Sequence, residues 1–335
     1  MNNKILYIVW YTYARRAETV SRELQAKLVF IYEPRLRTFW LNPLRYLVQC
    51  WKTWRLLEQE RPAFVIVQSP PIFAPLAVAL WCKLRGRKQV SYILDCHPST
   101  FYNRRWRWAF PLLRWLAHNA VVSLLCNEDA QKYLAQWQAN YIFLPDGLPD
   151  LSSYSNEVPV QSGKSIAVIS AFAHDEPAGT IFKAARLTPD VTFYVTGDTA
   201  GMTSELLASK PENIVLTGFL RGSTYNGLLH NVRGIMILAT MITTLSCGAF
   251  EALSLAKPSI VSDLPEQRRW FSDGFLLVEN TPEDIAQAVE ILLNEHAAYV
   301  KKAEILRAKY IAARQPKLEK LLSLLVSHAV NSLPE

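Results

Sequence analysis

The residues with the clearest chemical arrangement lie between Thr243 and Asp263, reading Thr-Thr-Leu-Ser-Cys-Gly-Ala-Phe-Glu-Ala-Leu-Ser-Leu-Ala-Lys-Pro-Ser-Ile-Val-Ser-Asp. A turn of small residues, Ser246, Cys247 and Gly248, leads into an apolar stretch of helical character that carries one carboxylate, Glu251, and stops at Lys257-Pro258. A short β-branched run, Ser259-Ile260-Val261, follows. Backbone N–H groups at such a helix start attract an anion, and the helix dipole adds to the attraction. A glutamate one turn further on lies beside whatever the helix end holds. A carboxylate accepting from a diol, next to a helix end that holds a diphosphate, is what a nucleotide-sugar requires. The same spacing also describes an ordinary helix–strand unit with a solvated Glu251, and spacing alone leaves both readings open.

Other candidates follow strand-like runs, where open α/β sheets present ligand-binding residues. Asp95-Cys-His97-Pro-Ser99 is one. His97 there suits contact with a sugar or an acceptor, and Asp95 suits either a general base or a helix-capping carboxylate. Thr196-Gly197-Asp198 reads as the edge of a nucleotide pocket or as a plain turn. Tyr13, Arg15 and Arg16 come directly after the first strand-like run. The arginines are either side-chain donors to phosphate, or Arg16 with Glu18 simply opens the first helix.

These residues need a scaffold, and apolar runs alternate with helical stretches along the whole chain. Strands are expected at 5–10, 26–30, 64–68, 89–94, 120–125 and 141–144, separated by helices at 17–24, 43–60, 72–84, 106–118 and 128–137. Short strands of this type predict parallel sheets covered by helices on both faces, with right-handed crossovers. The stretch 149–163, rich in Gly, Pro, Ser and Asp, is expected as a linker between a domain at 1–148 and a second at 164–309. In the second, strands are expected at 165–171, 192–196, 214–216, 234–238 and 259–261. Thr281 with Pro282 marks a helix start. The tail is helical by periodicity, with Pro316 expected to break it in two and residues 310–335 expected to return to the first domain. The fold class predicted is thus α/β, two doubly wound Rossmann-like domains, which places a ligand at the carboxyl ends of the strands.

Half of the 335 residues are hydrophobic and 19% are charged, so a sizeable core is expected and disorder is not. No apolar run reaches the length of a membrane span. The N-terminus reads as a first strand, without the pattern of a signal peptide. The five cysteines lack metal or redox spacing, and no Asp-x-Asp pair appears, so neither metal nor disulfide is expected and a cytoplasmic setting is the simplest. Charge is uneven: residues 1–150 hold 20 Lys+Arg against 10 Asp+Glu, together with nine of the ten tryptophans. Tryptophan mixed with arginine suits peripheral contact with an anionic membrane. Two stretches stand out: Leu44, Leu47, Trp51 and Trp54 at helical spacing, interleaved with Arg45, Lys52 and Arg55, and Asn103-Arg-Arg-Trp-Arg-Trp108. A helix covering the sheet would give the first stripe as well. No nucleic-acid module is recognisable, and nucleic acid is not an expected partner.

In its C-terminal half the chain resembles glycosyltransferases of the GT-B fold, most of all glycosyltransferase family 4 and its relatives. The resemblance rests on Phe193-Tyr-Val-Thr-Gly-Asp198, Asn213-Ile-Val-Leu-Thr-Gly-Phe219 and Gly248-Ala-Phe-Glu-Ala-Leu-Ser-Leu-Ala-Lys-Pro-Ser-Ile-Val-Ser-Asp263. In the N-terminal half, Asp95-Cys-His-Pro-Ser-Thr-Phe101 resembles the loop that faces the donor sugar in related enzymes, and Asn127-Glu128 the close of the next strand. The resemblance implies two domains facing across a cleft, with the nucleotide held by the second. It implies that Glu251 accepts from the ribose hydroxyls, that Ser246, Cys247 and Gly248 face the diphosphate, and that Gly197, Phe219 and Arg221 border the nucleotide, Phe219 at the base. Two departures are visible. The family pairs two glutamates eight positions apart, and the first falls on Thr243. The family's Arg and Lys after the first strand of the second domain are replaced by Phe172-Ala-His-Asp-Glu-Pro177, so the Ser246–Gly248 helix end, Arg221, or cations such as Arg15 and Arg16 would have to meet the phosphates.

The resemblance implies transfer of a sugar from a nucleoside diphosphate sugar to a glycan or lipid-linked acceptor, with no further cofactor. His97 and Asp95 are the expected catalytic-side residues. The rival expectation is a non-catalytic relative that binds nucleotide-sugar or glycan and supports a partner transferase.

Overall fold

The computed structural model describes residues 5–331 except 37, 86–89, 103, 162 and 243–244. The chain divides into two compact units, residues 1–147 with 312–335, and residues 148–311.

Unit 1 alternates β1 (Ile5–Val9), α1 (Arg15–Glu23), β2 (Lys27–Phe30), α2 (Asn42–Glu60), β3 (Phe64–Ser69), α3 (Phe73–Arg85), β4 (Ser91–Cys96), α4 (Ser99–Tyr102), α5 (Phe110–Asn119), β5 (Ser123–Leu125), α6 (Gln131–Gln136) and β6 (Tyr141–Phe143). All six strands are parallel, in the order β2-β1-β3-β4-β5-β6. The order reverses between β1 and β3, and the loops leaving β1 and β4 lie at the carboxyl edge of this sheet. Strand residues are apolar on both faces, as a covered parallel sheet requires. Leu6, Ile8, Val65 and Val67 enter one buried cluster with α2, α3 and α5. Tyr7, Val9, Phe64 and Ile66 enter the opposite cluster with Ala17 and Val20 of α1.

Unit 2 comprises β7 (Ser165–Val168), α7 (Ala178–Leu187), β8 (Thr192–Thr196), α8 (Ser204–Ala208), β9 (Ile214–Gly218), α9 (Gly222–Asn231), β10 (Gly234–Ile237), α10 (Cys247–Ser254), β11 (Ser259–Ser262), α11 (Pro265–Phe271), β12 (Leu276–Val278) and α12 (Pro282–Asn294). Its sheet is again parallel, in the order β12-β11-β10-β7-β8-β9, with the reversal between β7 and β10. Residues 149–161 lie along unit 2 as an irregular segment. Leu151 is buried, Ser155 N–H donates to Ser223 O, and a Cβ on Gly227 would overlap Ser155 O at 1.6 Å.

The last helix, α13 (His296–Asn331), starts in unit 2, with Ala303, Leu306 and Tyr310 in its core. From residue 312 it belongs to unit 1, where Leu318, Leu321 and Leu325 complete the cluster around Tyr7 and Ile66. The break expected at Pro316 does not occur: the helix is continuous through it. A proline removes one helical hydrogen bond and crowds the turn before it. Anchors on both sides outweigh that cost here. Arg314 makes a two-pronged ion pair with Glu23 at 2.6 and 2.7 Å and donates to Pro145 O at 2.9 Å, while Leu318 and Leu321 are buried one turn later.

Candidate functional site

In unit 1 the sequence-predicted residues Asp95, His97 and Arg16 converge at the carboxyl edge of the sheet. Asp95, near the end of β4, is wholly buried. Its carboxylate accepts from the Tyr7 hydroxyl and from Arg16 Nε at 2.9 Å. Arg16, the second residue of α1, also donates through Nη1 to Leu144 O at 3.0 Å and to Asp146 Oδ1 at 2.7 Å. Desolvation drives the Tyr7 phenol well above its ordinary pKa, and the Asp95 charge pushes it the same way. Burial works against the Arg16 cation, but Asp95 and Asp146 outweigh it and hold the guanidinium firmly charged. Asp95 is thus enclosed by Tyr7 and Arg16, and the Arg16 guanidinium points inward to Asp95, Asp146 and Leu144 O.

The loop that Asp95 anchors carries His97. Its backbone N–H donates to Ser69 O at 2.9 Å. Its ring Nδ1 lies 2.9 Å from Ser99 Oγ and accepts from Ser99 N–H at 3.3 Å. An Nδ1 that accepts leaves the proton on Nε2 in the neutral ring, by assignment from the hydrogen bonds. The residue reaches solvent, yet the surrounding protein displaces enough water to lower its pKa below the ordinary 6.5, against the pull of Asp146 and Asp95. His97 thus presents an N–H donor at neutral pH. Sequence reading singled out neither Tyr7 nor Asp146. A tyrosine inside a buried strand and an aspartate before glycine carry no sequence signal of pairing.

In unit 2, Glu251 sits on the second turn of α10, only 5% exposed, and its Oε2 accepts from the Tyr225 hydroxyl of α9 at 2.5 Å. α10 follows β10, one of the two strands at the reversal of strand order. Ser246 caps the helix without a side-chain hydrogen bond, and Cys247 is exposed at its first position. Gly248 has a packing reason for its size, since a Cβ there would press on the Ile169 side chain at 3.1 Å. Gly197 has a backbone reason: its φ is +111°, and a Cβ would lie 2.5 Å from Ser170 O. Phe219 is 65% exposed, with the Arg221 guanidinium 4.9 Å from its ring centroid. Thr243 lies outside the described residues.

The acidic stretch after β7 has an internal role. Glu176 Oε2 accepts from Ser170 Oγ at 2.6 Å and from the N–H groups of Ala171 and Ala173 at 2.8 and 3.2 Å. A cup of backbone donors at the end of the first strand is a place where anions bind, and here the chain fills it with its own carboxylate. Asp175 O accepts from Thr240 N–H at 2.7 Å, tying this loop to the one after β10. Lys257, of the Lys-Pro pair, donates to His230 O near the end of α9 at 2.7 Å. Burial and the neighbouring Arg233 lower its pKa from 10.5 to about 8.

No protein-family profile and no curated protein matches the chain. Solved structures do. Anabaena HepE, solved with UDP and glucose, aligns with a TM-score of 0.73 at 12% identity, covering 97% of this chain and 100% of that one. The sucrose-phosphate synthase of Thermosynechococcus elongatus aligns at 0.68 and 11% identity, covering 97% and 98%. The chain has the GT-B fold. The same GT-B likeness extends to the UDP-GlcNAc 2-epimerase of Neisseria meningitidis bound to UDP-GlcNAc, at 0.63 and 16% identity over 97% of this chain and 100% of that one. At identities of 11–16% the likeness establishes the GT-B fold alone.

Proposed function

We propose that this GT-B protein transfers a glycosyl group from a nucleoside diphosphate sugar to a glycan or lipid-linked acceptor, with retention of configuration. The observation that carries the reading is Glu251, a carboxylate withdrawn from bulk water, held by Tyr225, on the helix after the strand where the order of the unit 2 sheet reverses. That is where a doubly wound sheet binds its ligand. Similar structures bound to UDP, UDP-glucose and UDP-GlcNAc support a uridine nucleotide-sugar as the donor.

In this reading Glu251 accepts from the ribose hydroxyls, Phe219 covers the base and Arg221 meets the phosphates. His97 donates from Nε2 to the sugar or acceptor. The acceptor oxygen bonds to the anomeric carbon as the bond to the diphosphate breaks, and its proton passes to the departing phosphate oxygen. Stabilising that leaving group is then the main catalytic task. Asp95, Tyr7 and Arg16 keep the His97 loop in place and take no part in the bond changes.

Release of UDP from a panel of UDP-sugars, with and without lipid extract, tests the proposal directly. Turnover with one donor supports it. Tight donor binding without any turnover favours the second reading, a non-catalytic GT-B protein that assists a transferase. Glu176 filling the backbone cup after β7 with the chain's own carboxylate, where an anion would otherwise bind, is the feature that favours this rival.

A further inference from the structure

Helix α2 buries two polar residues and exposes three large apolar ones. Its inward positions, four residues apart, are Gln49, Thr53 and Leu57, all essentially buried. The polar ones are fully engaged in the interior: Gln49 Nε2 donates to Ile31 O at 2.7 Å, Thr53 Oγ1 donates to Gln49 O at 2.8 Å, and Thr53 accepts from Trp10 Nε1 at 2.8 Å. Trp54, the last member of the stripe seen in the sequence, also turns inward and donates to Ala77 O at 2.8 Å. The outward positions are Leu44, Leu47 and Trp51, at 48%, 69% and 57% exposure. Trp40, just before the helix, is 86% exposed, and Leu84 on neighbouring α3 is 72% exposed. Tyr46, Cys50, Trp54 and Leu56 pack against the core, so α2 covers the sheet on one side and carries a second, exposed apolar stripe that covering the sheet does not require.

Along the sequence, the charges of this stretch have one sign. From Pro34 to Leu57 the sequence holds Arg35, Arg37, Arg45, Lys52 and Arg55 and no Asp or Glu. Arg55 lies over the exposed Trp51 ring at 5.5 Å, and Arg45 over the half-buried Tyr46 ring at 5.0 Å. The carboxylates flanking this stretch are paired, Glu33 with Lys52, Glu58 with Arg85 and Glu60 with Lys27, which leaves Arg35, Arg37, Arg45 and Arg55 as the excess cations of the sequence stretch. No described helix is long and apolar enough to cross a membrane. An apolar stripe with tryptophan, flanked by cations, fits the headgroup boundary of an anionic bilayer.

We propose that the outward face of α2 is a membrane-docking surface that inserts Leu44, Leu47 and Trp51 into an anionic lipid leaflet. Each surface cation adds to the attraction, and salt weakens it because the charges are exposed. The second stretch expected to bind membrane, Asn103–Trp108, falls in part outside the described residues and is not needed for this proposal.

The test is sedimentation of the full chain with vesicles of phosphatidylcholine, with and without phosphatidylglycerol, for wild type, a Leu47→Glu/Trp51→Glu double variant, and Leu207→Glu, which alters an exposed leucine of unit 2. The expected result is binding to anionic vesicles only. The double variant should need about tenfold more lipid or worse, since two apolar side chains no longer leave water, and Leu207→Glu should match wild type. Equal binding by the double variant and wild type overturns the proposal, as does wild type ignoring anionic vesicles at low salt. A wild-type dimer that the double variant dissociates, with no vesicle binding, assigns the face to a second copy and also overturns it. UDP-sugar binding measured on the same proteins reports unit 2 independently. A failure on vesicles with intact nucleotide binding therefore sinks this inference and leaves the proposed function standing.

Discussion

The Tyr225 hydroxyl donates to Glu251 Oε2 at 2.5 Å, joining the first helix after β9 to the first helix after β10. If Glu251 also accepts from a ribose diol, Glu251→Ala should weaken UDP binding by about tenfold or more, because hydrogen bonds to a charged group contribute roughly 1.5–3 kcal/mol each. Tyr225→Phe should cost less, roughly threefold to tenfold, since the carboxylate stays and loses only its orientation. Titration calorimetry with UDP on folded variants checks both. Unchanged affinity in Glu251→Ala would remove the main support for the nucleotide reading.

His97 should matter as a neutral donor. Its pKa lies below 6.5 because protein mass around the ring disfavours the cation. The ring therefore stays uncharged to lower pH than a free imidazole, and the acidic limb of kcat/KM should fall below pH 6.5. His97→Ala should reduce kcat/KM by about two orders of magnitude. His97→Gln, whose amide can donate but does not titrate, should recover part of the rate and lose that limb. An acidic limb at or above 6.5 in wild type would contradict this assignment.

Asp95 should act through stability and loop position. Asp95→Asn leaves the Arg16 cation buried with one carboxylate fewer, and breaking such a pair costs about 3 kcal/mol or more. Tyr7→Phe removes a single donor and should cost about 1–3 kcal/mol. Urea unfolding measures both. Asp95→Asn with wild-type stability but no turnover would restore Asp95 to the chemistry.

Lys257 gives unit 2 a pH signature with a definite sign. Its pKa is lowered to about 8 from 10.5, so between these values the unfolded chain binds more protons than the folded one. Stability must then rise with pH across that window, by at most about 1.4 kcal/mol per pH unit from this group. Below pH 8 the cost of burying the cation is constant. Lys257→Met should abolish the slope. Thermal or urea unfolding of the two proteins between pH 7.5 and 10 provides the comparison. Parallel curves would mean that Lys257 stays solvated.

The strands of both sheets were readable because parallel strands covered on both faces are continuous apolar runs, as Phe64–Ser69 and Gly234–Ile237 illustrate. β12 was missed: three residues, Leu276–Val278, are too few to show a period. Glu251 was readable because its helix start, its Lys-Pro stop and its strand are contiguous. The Tyr7–Asp95–Arg16 cluster was not, since its members are 79 and 88 positions apart and only the register of β1 and β4 with α1 brings them together. For α2 the sequence showed the apolar stripe but not its direction. Gln49 and Thr53 look like surface residues until their interior partners, Ile31 O and Trp10 Nε1, are known.

One order of events follows from the route of α13. A ribosome releases residues 1–147 long before residues 312–331, and at about 5–20 residues per second the gap is on the order of ten to thirty seconds. During that interval the face of the first sheet around Tyr7 and Ile66 lacks Leu318, Leu321 and Leu325, and Glu23 lacks Arg314. The first unit to be made is thus the last to be finished. The second unit, whose segments are contiguous from 148 to 311, can close while its neighbour is still waiting for its final helix. A nascent chain stalled before residue 312 should accordingly expose unit 1 to proteases and chaperones and leave unit 2 resistant.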